Sequence, residues 1–171
     1  VSNDACAYWR DPSKNGVQLD ARIMNTSSGA GLQGSVGQSA YSAAKGGIAS
    51  LTLVQAAELG RYGITANAIA PAARTRMTEG VFADMMKAPE SGFDVMDPAN
   101  VSPLVVWLGS AESKSVTGCT FEVAGGKISL ADGWRAGPAV DKGARFEPDE
   151  IGGVVHELLK KAVPAQKVYG T

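Results

Sequence analysis

The chain has 171 residues, 16 Lys+Arg against 17 Asp+Glu, and 44% hydrophobic residues. That length suits one domain with a sizeable apolar core, the balanced charge excludes the basic footprint of a nucleic-acid binder, and no apolar run approaches the ~18 residues of a membrane span. Glycine is the outlier, at 21 residues where an ordinary chain has about 7%.

Val1–Arg10 reads as the last turns of a helix, and Asp11-Pro12-Ser13-Lys14-Asn15-Gly16 should break it. Nothing at Val1-Ser2-Asn3-Asp4 resembles a secretory leader. Arg22–Ser27 reads as a short buried strand ended by a Gly/Ser loop over 28–39. From Tyr41 to about Gly60 the spacing predicts a helix, with Ala44, Ile48, Leu51, Ala56 and Leu59 as its packing side and Gly60 and Gly63 closing it. Ile64–Ala70 is a second strand, stopped by Pro71. The Met/Phe/Gly-containing stretch from Met77 to Met96 suits a substrate lid or a surface loop. Pro98–Leu108 reads as a helix and Cys119–Ala124 as a third strand, followed by Gly125-Gly126. Beyond this the sequence turns more polar, and Pro148-Asp149-Glu150 opens an amphipathic helix bearing Ile151, Val155, Leu158 and Leu159.

Strands separated by helical crossovers imply a parallel sheet with helices on both faces, an α/β doubly wound Rossmann-like arrangement. Ligands in such sheets sit at the carboxyl ends of the strands, here Thr26-Ser27-Ser28, Ala70-Pro71-Ala72 and Ala124-Gly125.

Several motifs compete for those ends. Gly29-Ala30-Gly31-Leu32-Gln33-Gly34 matches a dinucleotide phosphate loop, but Ser35–Ser39 separates it from the next helix and no acidic residue ends a second strand where one is required. It is read as a flexible active-site loop. Tyr41-Ser42-Ala43-Ala44-Lys45 places a phenol and an ammonium on one helix face, and an adjacent positive charge favours the phenolate, which suits proton transfer. Such a pair also arises by chance. Its setting strengthens it, because the helix follows a strand ending in Ser28, a hydroxyl able to hold a carbonyl oxygen. The one histidine, His156, lies in the polar region and reads as solvated, so a Ser-His-Asp hydrolase is disfavoured. Cys6 and Cys119 are distant, without metal spacing, and read as small buried hydrophobes in a reducing, cytoplasmic setting.

Asn25-Thr26-Ser27-Ser28, Tyr41-Ser42-Ala43-Ala44-Lys45-Gly46-Gly47 and Gly63-Ile64-Thr65-Ala66-Asn67-Ala68-Ile69-Ala70-Pro71 resemble, in order and spacing, the catalytic half of a short-chain dehydrogenase/reductase. The resemblance runs from about Arg22 to Val123 and implies three roles: Tyr41 as general acid/base, Lys45 holding the nicotinamide ribose and poising Tyr41, and Ser28 orienting the substrate oxygen. Pro71-Ala72-Ala73-Arg74-Thr75 departs by one residue from the family's usual Pro-Gly loop. With Val101–Leu108 and Phe121-Glu122-Val123 it is similar to the dehydrogenase domain of peroxisomal multifunctional enzyme type 2 and its bacterial relatives. By position Pro71, Ala72, Ala73 and Thr75 would line the nicotinamide.

The resemblance implies an oxidoreductase of the NAD(P) type, with NAD first and NADP not excluded. It would interconvert a secondary alcohol and a ketone, with a 3-hydroxyacyl-CoA or a hydroxysteroid as the small-molecule substrate, in a homo-oligomer that needs neither nucleic acid nor membrane. It also implies that the family's T-G-x-x-x-G-x-G loop and roughly the first four strands of the fold are missing from this sequence. Asn3 is not given the role of the family's catalytic Asn. Residues 1–130 are the expected catalytic portion and 131–171 an extension; the competing expectation is an inactive fragment or interaction module.

Overall fold

The computed structural model describes residues 2–17, 19–79 and 86–171. They form two compact units, Val1–Ala131 with Val168–Thr171, and Asp132–Lys167.

The first unit is built on a four-stranded sheet in the order β1 (Ala21–Thr26), β2 (Ile64–Ala72), β3 (Thr120–Ala124), β4 (Lys127–Ala131). β1, β2 and β3 run parallel, with Thr26 opposite Ile69 and Ala72 opposite Ala124. β4 returns antiparallel through the Gly125-Gly126 turn, pairing Ala124 with Lys127. Sequence reading expects three strands; the fourth is a short edge strand with three of its five residues exposed, Ile128 and Leu130 among them, so no buried apolar run marks it.

β2 is buried from Ile64 to Ala70, as a central parallel strand covered on both faces must be. On one face Ile64 and Ala66 pack with Ile23 of β1 and with Leu59 of α3 (Ser39–Leu59), and α1 (Ser2–Lys14) adds Cys6 and Trp9. On the other, Ile69 and Val123 pack with Leu104 and Leu108 of α5 (Ser102–Gly109). Helices on both faces of a mainly parallel sheet make this part of a doubly wound Rossmann-like fold.

Two local expectations, the breaks at Pro12 and at Pro71, do not hold. α1 continues through Pro12 to Lys14, because proline's fixed φ is helical and only one intrahelical bond is lost near the end; Gly16, at φ 81°, ends the turn that follows. Gly60 caps α3 as expected, right-handed at φ −55° and leading into a single 3₁₀ turn, which the left-handed Gly63 (φ 74°) closes where a Cβ would lie 2.3 Å from the Leu19 carbonyl oxygen. β2 extends two residues beyond the expected stop, through Pro71 to Ala72.

α3 departs most from its apolar reading. Its sheet-facing residues include the buried Thr52 and Gln55, while Leu51, Leu53 and Val54 are exposed. The polar pair is satisfied internally: Asn25 Nδ2 donates to Thr52 Oγ1 at 2.9 Å and to Gln55 Oε1 at 2.8 Å. Buried Asn67 does the same on the other face of the sheet, donating to the Val116 carbonyl (2.8 Å) and accepting from the Cys119 N–H (3.1 Å). Cys6 and Cys119 are free thiols and only partly buried.

The second unit contains α6 (Ile151–Lys161), with Ile151, Val155, His156 and Leu159 exposed. Lys142 Nζ donates to Glu150 at 2.5 Å, which lowers the Glu150 carboxyl below its ordinary range. Among the described residues no helix is long and apolar enough to cross a membrane.

Candidate active site

Ser28 leaves β1 in an extended conformation (φ −162°, ψ 151°) and caps α2 (Gly29–Gln33), its Oγ accepting from the Ala30 N–H at 3.3 Å. The glycine motif is therefore a short helix rather than a loop. Its glycines serve close packing: a Cβ at Gly31 would lie 2.5 Å from the Lys45 carbonyl carbon, so α2 can rest on α3 only with hydrogen at that position. A backbone already in contact with a helix leaves no cradle for a pyrophosphate there.

That packing fixes the Tyr41–Lys45 pair. Buried Ser27 donates from Oγ to the Lys45 carbonyl at 2.8 Å, and Lys45 Nζ donates to the Thr26 carbonyl at 2.8 Å. The end of β1 and the first turns of α3 are thus tied in both directions. Lys45 Nζ stands 5.7 Å from the centroid of the Tyr41 ring, and the half-exposed Tyr41 side chain is open to solvent.

The carboxyl ends of the strands enclose a groove of about 180 Å³ lined by Gly29, Pro71, Ala72, Val123, Lys127 and Tyr169, among others. Pro71 and Ala72 thus share a groove with Gly29, the neighbour of Ser28; Tyr41 and Lys45 are not part of its lining. Ala73 and Thr75 also lie outside it. The Thr75 N–H donates to Thr78 Oγ1 at 2.7 Å, and the Thr78 N–H donates back to Thr75 Oγ1 at 3.3 Å, a reciprocal cap on α4 (Arg76–Glu79).

Two features were not legible as site elements in the sequence. Arg74 reaches the loop that precedes α5: Nη1 donates to the Met86 carbonyl at 3.1 Å, Nη2 pairs with Asp94, and the Arg74 N–H bonds the Met96 carbonyl at 2.7 Å. The Arg74 hydrogen bond holds the Asp94 carboxyl below the ordinary carboxylate range, with burial opposing and the Met96 N–H assisting. Val95 and Phe93 from this loop lie against Gly125 and Gly126 of the β3–β4 turn. Of the stretch expected to form a lid, residues 80–85 lie outside the described residues. The second feature is Tyr169, which comes from the opposite end of the sequence. No group of His, Cys, Asp and Glu able to hold a metal ion occurs among the described residues.

Residues 8–127 match the family model described as enoyl-(acyl carrier protein) reductase, of the short-chain dehydrogenase type. The chain belongs to the short-chain dehydrogenase/reductase family. Within the family it is 37% identical, over its whole length, to the hydroxyacyl-CoA dehydrogenase ChsB1 of Mycobacterium tuberculosis, of which it covers 55%. It is 44% identical, over 71% of its length, to the mouse peroxisomal multifunctional enzyme type 2, covering 15% of that protein. The crystal structure of a short-chain dehydrogenase from Mycobacterium avium superposes with a TM-score of 0.85 at 63% identity, over 98% of this chain and 54% of that one. The chain therefore spans about half the length of these two mycobacterial relatives.

Proposed function

We propose that this chain carries the catalytic half of a short-chain oxidoreductase that interconverts a secondary alcohol and a ketone, with 3-hydroxyacyl-CoA thioesters as the substrate class. The observation that carries the reading is the Lys45 ammonium, anchored on Thr26 and facing the Tyr41 ring on a helix that follows Ser28. The substrate class is supported by similarity to hydroxyacyl-CoA dehydrogenases of the family.

In this reading Tyr41 takes the proton from the substrate hydroxyl during oxidation and returns it during reduction, as general base and acid. The Lys45 ammonium beside the ring stabilises the phenolate form while the proton is away. The Ser28 hydroxyl turns from capping Ala30 to hold the reacting oxygen, a modest exchange because the 3.3 Å bond it gives up is long. A nicotinamide cofactor supplies the hydride acceptor. The residues present fit part of that group. Lys45 has further donor hydrogens for ribose hydroxyls after serving Thr26. The small residues Pro71 and Ala72 leave room in the groove for a flat ring, and we assign Ala73 and Thr75 to its rim. NAD is the preferred cofactor. The exposed apolar residues Leu51, Leu53 and Val54 of α3 are assigned to a contact between copies of the protein.

The test is direct. Purified full-length protein is mixed with a straight-chain (3R)-hydroxyacyl-CoA and NAD, and reduced nicotinamide is followed by absorbance. Stoichiometric formation of the 3-oxoacyl product supports the reading; no turnover with any 3-hydroxyacyl-CoA, with either NAD or NADP, refutes it.

A further inference from the structure

Residues Val168–Thr171 belong to the same compact unit as the sheet, and they settle on the segment that follows Ser28. Tyr169 makes a parallel bridge with Ser35: its N–H donates to the Gly34 carbonyl at 3.2 Å, and its carbonyl accepts from the Val36 N–H at 3.0 Å. Val168 fits over Gly34, and Gly170, at φ 90°, fits beside Val36. The backbone on both sides of the phenol is thus tied to the segment after Ser28. The phenol lies over Gly29, where a Cβ would stand 2.7 Å from Oη, and Gln33 Nε2 donates to Oη at 3.1 Å.

Tyr169 therefore lines the groove at the strand ends together with Gly29, Pro71 and Ala72, and it is 47% exposed. It contributes nothing to either core cluster and has no part in the proton transfer assigned to Tyr41. A rigid aromatic side chain held at its backbone and its hydroxyl, beside the residue that orients the substrate oxygen, has the properties of a steric gauge.

We propose that Tyr169 is the specificity-determining residue of this groove, limiting the bulk carried on the carbon next to the reacting carbon and so favouring straight acyl chains over branched ones. The inference rests on the assignment of Ser28 and Tyr41 as the reaction centre. With Pro71 and Ala72 assigned to the nicotinamide, the side of the groove at Gly29 and Tyr169 receives the substrate. Shape alone supplies the discrimination, and a difference of one methyl group in such a groove is worth about 10- to 200-fold.

The test compares full-length wild-type protein with Tyr169→Ala, Tyr169→Phe and Tyr169→Trp. For each, kcat/KM is measured with a straight 3-hydroxyacyl-CoA and its 2-methyl counterpart, and dissociation constants for both thioesters are measured by calorimetry. The branched-to-straight ratio should rise about tenfold or more in Tyr169→Ala, fall in Tyr169→Trp, and stay within about twofold in Tyr169→Phe. A merely structural role would change both substrates by one factor and leave the ratio fixed. An unchanged ratio in the Ala and Trp variants, or an effect confined to the cofactor KM, overturns the proposal. Should Tyr169→Ala not fold, the Trp and Phe variants decide it. A Tyr41→Phe control separates the two readings: if that variant is active the catalytic assignment falls, while the ratio of dissociation constants still judges Tyr169.

Discussion

Lys45 donates from Nζ to the main-chain carbonyl of Thr26 across 2.8 Å. The ammonium is thereby held at the end of β1 by the protein itself, and its distance from the Tyr41 ring is set by the fold. Lys45→Met should lower kcat about tenfold or more, since a preorganised charge at the proton-transfer group is lost. Lys45→Arg should recover only part of this, because the longer, planar guanidinium cannot sit on Thr26 as a compact ammonium does. Steady-state kinetics with the cofactor KM measured separately checks both; Lys45→Met turning over like wild type would contradict the assignment.

Gly31 is required by packing. Gly31→Ala places a methyl group 2.5 Å from the Lys45 carbonyl carbon, forcing α2 away from α3. A loss of about 1–3 kcal/mol in stability is expected, as for other overpacking substitutions. Urea unfolding measures it. A fully stable variant with only its cofactor affinity reduced would favour the phosphate-loop reading instead.

Asn25 stitches β1 to α3. Asn25→Ala removes the donor shared by Thr52 and Gln55, and Gln55, 8% exposed, is left with an unmatched carbonyl. The expected cost is about 1–3 kcal/mol, the penalty for one buried unsatisfied polar group. A fall in the urea midpoint at unchanged slope would show it.

Asp94 makes the loop before α5 sensitive to acid. Its folded pKa lies below the ordinary value of about 3.9, so the Arg74 pair stabilises the fold above that pH and is lost as pH falls below it. Asp94→Asn should flatten this part of the acid-unfolding curve followed by circular dichroism, and should raise the substrate KM more than it lowers kcat. Identical acid limbs in variant and wild type would count against the pair.

Much of this architecture can be read along the chain, and the exceptions share a cause. β1, α3 and β2 announce themselves through residues whose periodicity and neighbours agree, and the Tyr41–Lys45 spacing lies on α3 where a helix was expected. The short helix after Ser28 does not announce itself, because two of its five residues are glycine, and the Ser28 cap and the contact with Lys45 and Gly46 support it only in the folded chain. Leu51 resembles a core residue while Thr52 and Gln55 occupy the sheet-facing side, since apolar periodicity cannot register polar groups that satisfy one another. The Gly125-Gly126 turn and the short alternation Lys127-Ile128-Ser129-Leu130 are the cues to β4, and both are brief. Arg74 and Asp94 are 20 residues apart and Gln33 and Tyr169 are 136 apart; no local pattern connects such pairs.

The central claim is that Tyr41 moves the proton. It is tested most directly by single-turnover oxidation of a (3R)-hydroxyacyl-CoA by full-length Tyr41→Phe protein, with thermal unfolding run alongside to confirm the fold. The account predicts an intact fold and a rate reduced about 10²-fold or more, the contribution of a general acid/base. A folded Tyr41→Phe protein turning over at the wild-type rate would contradict it.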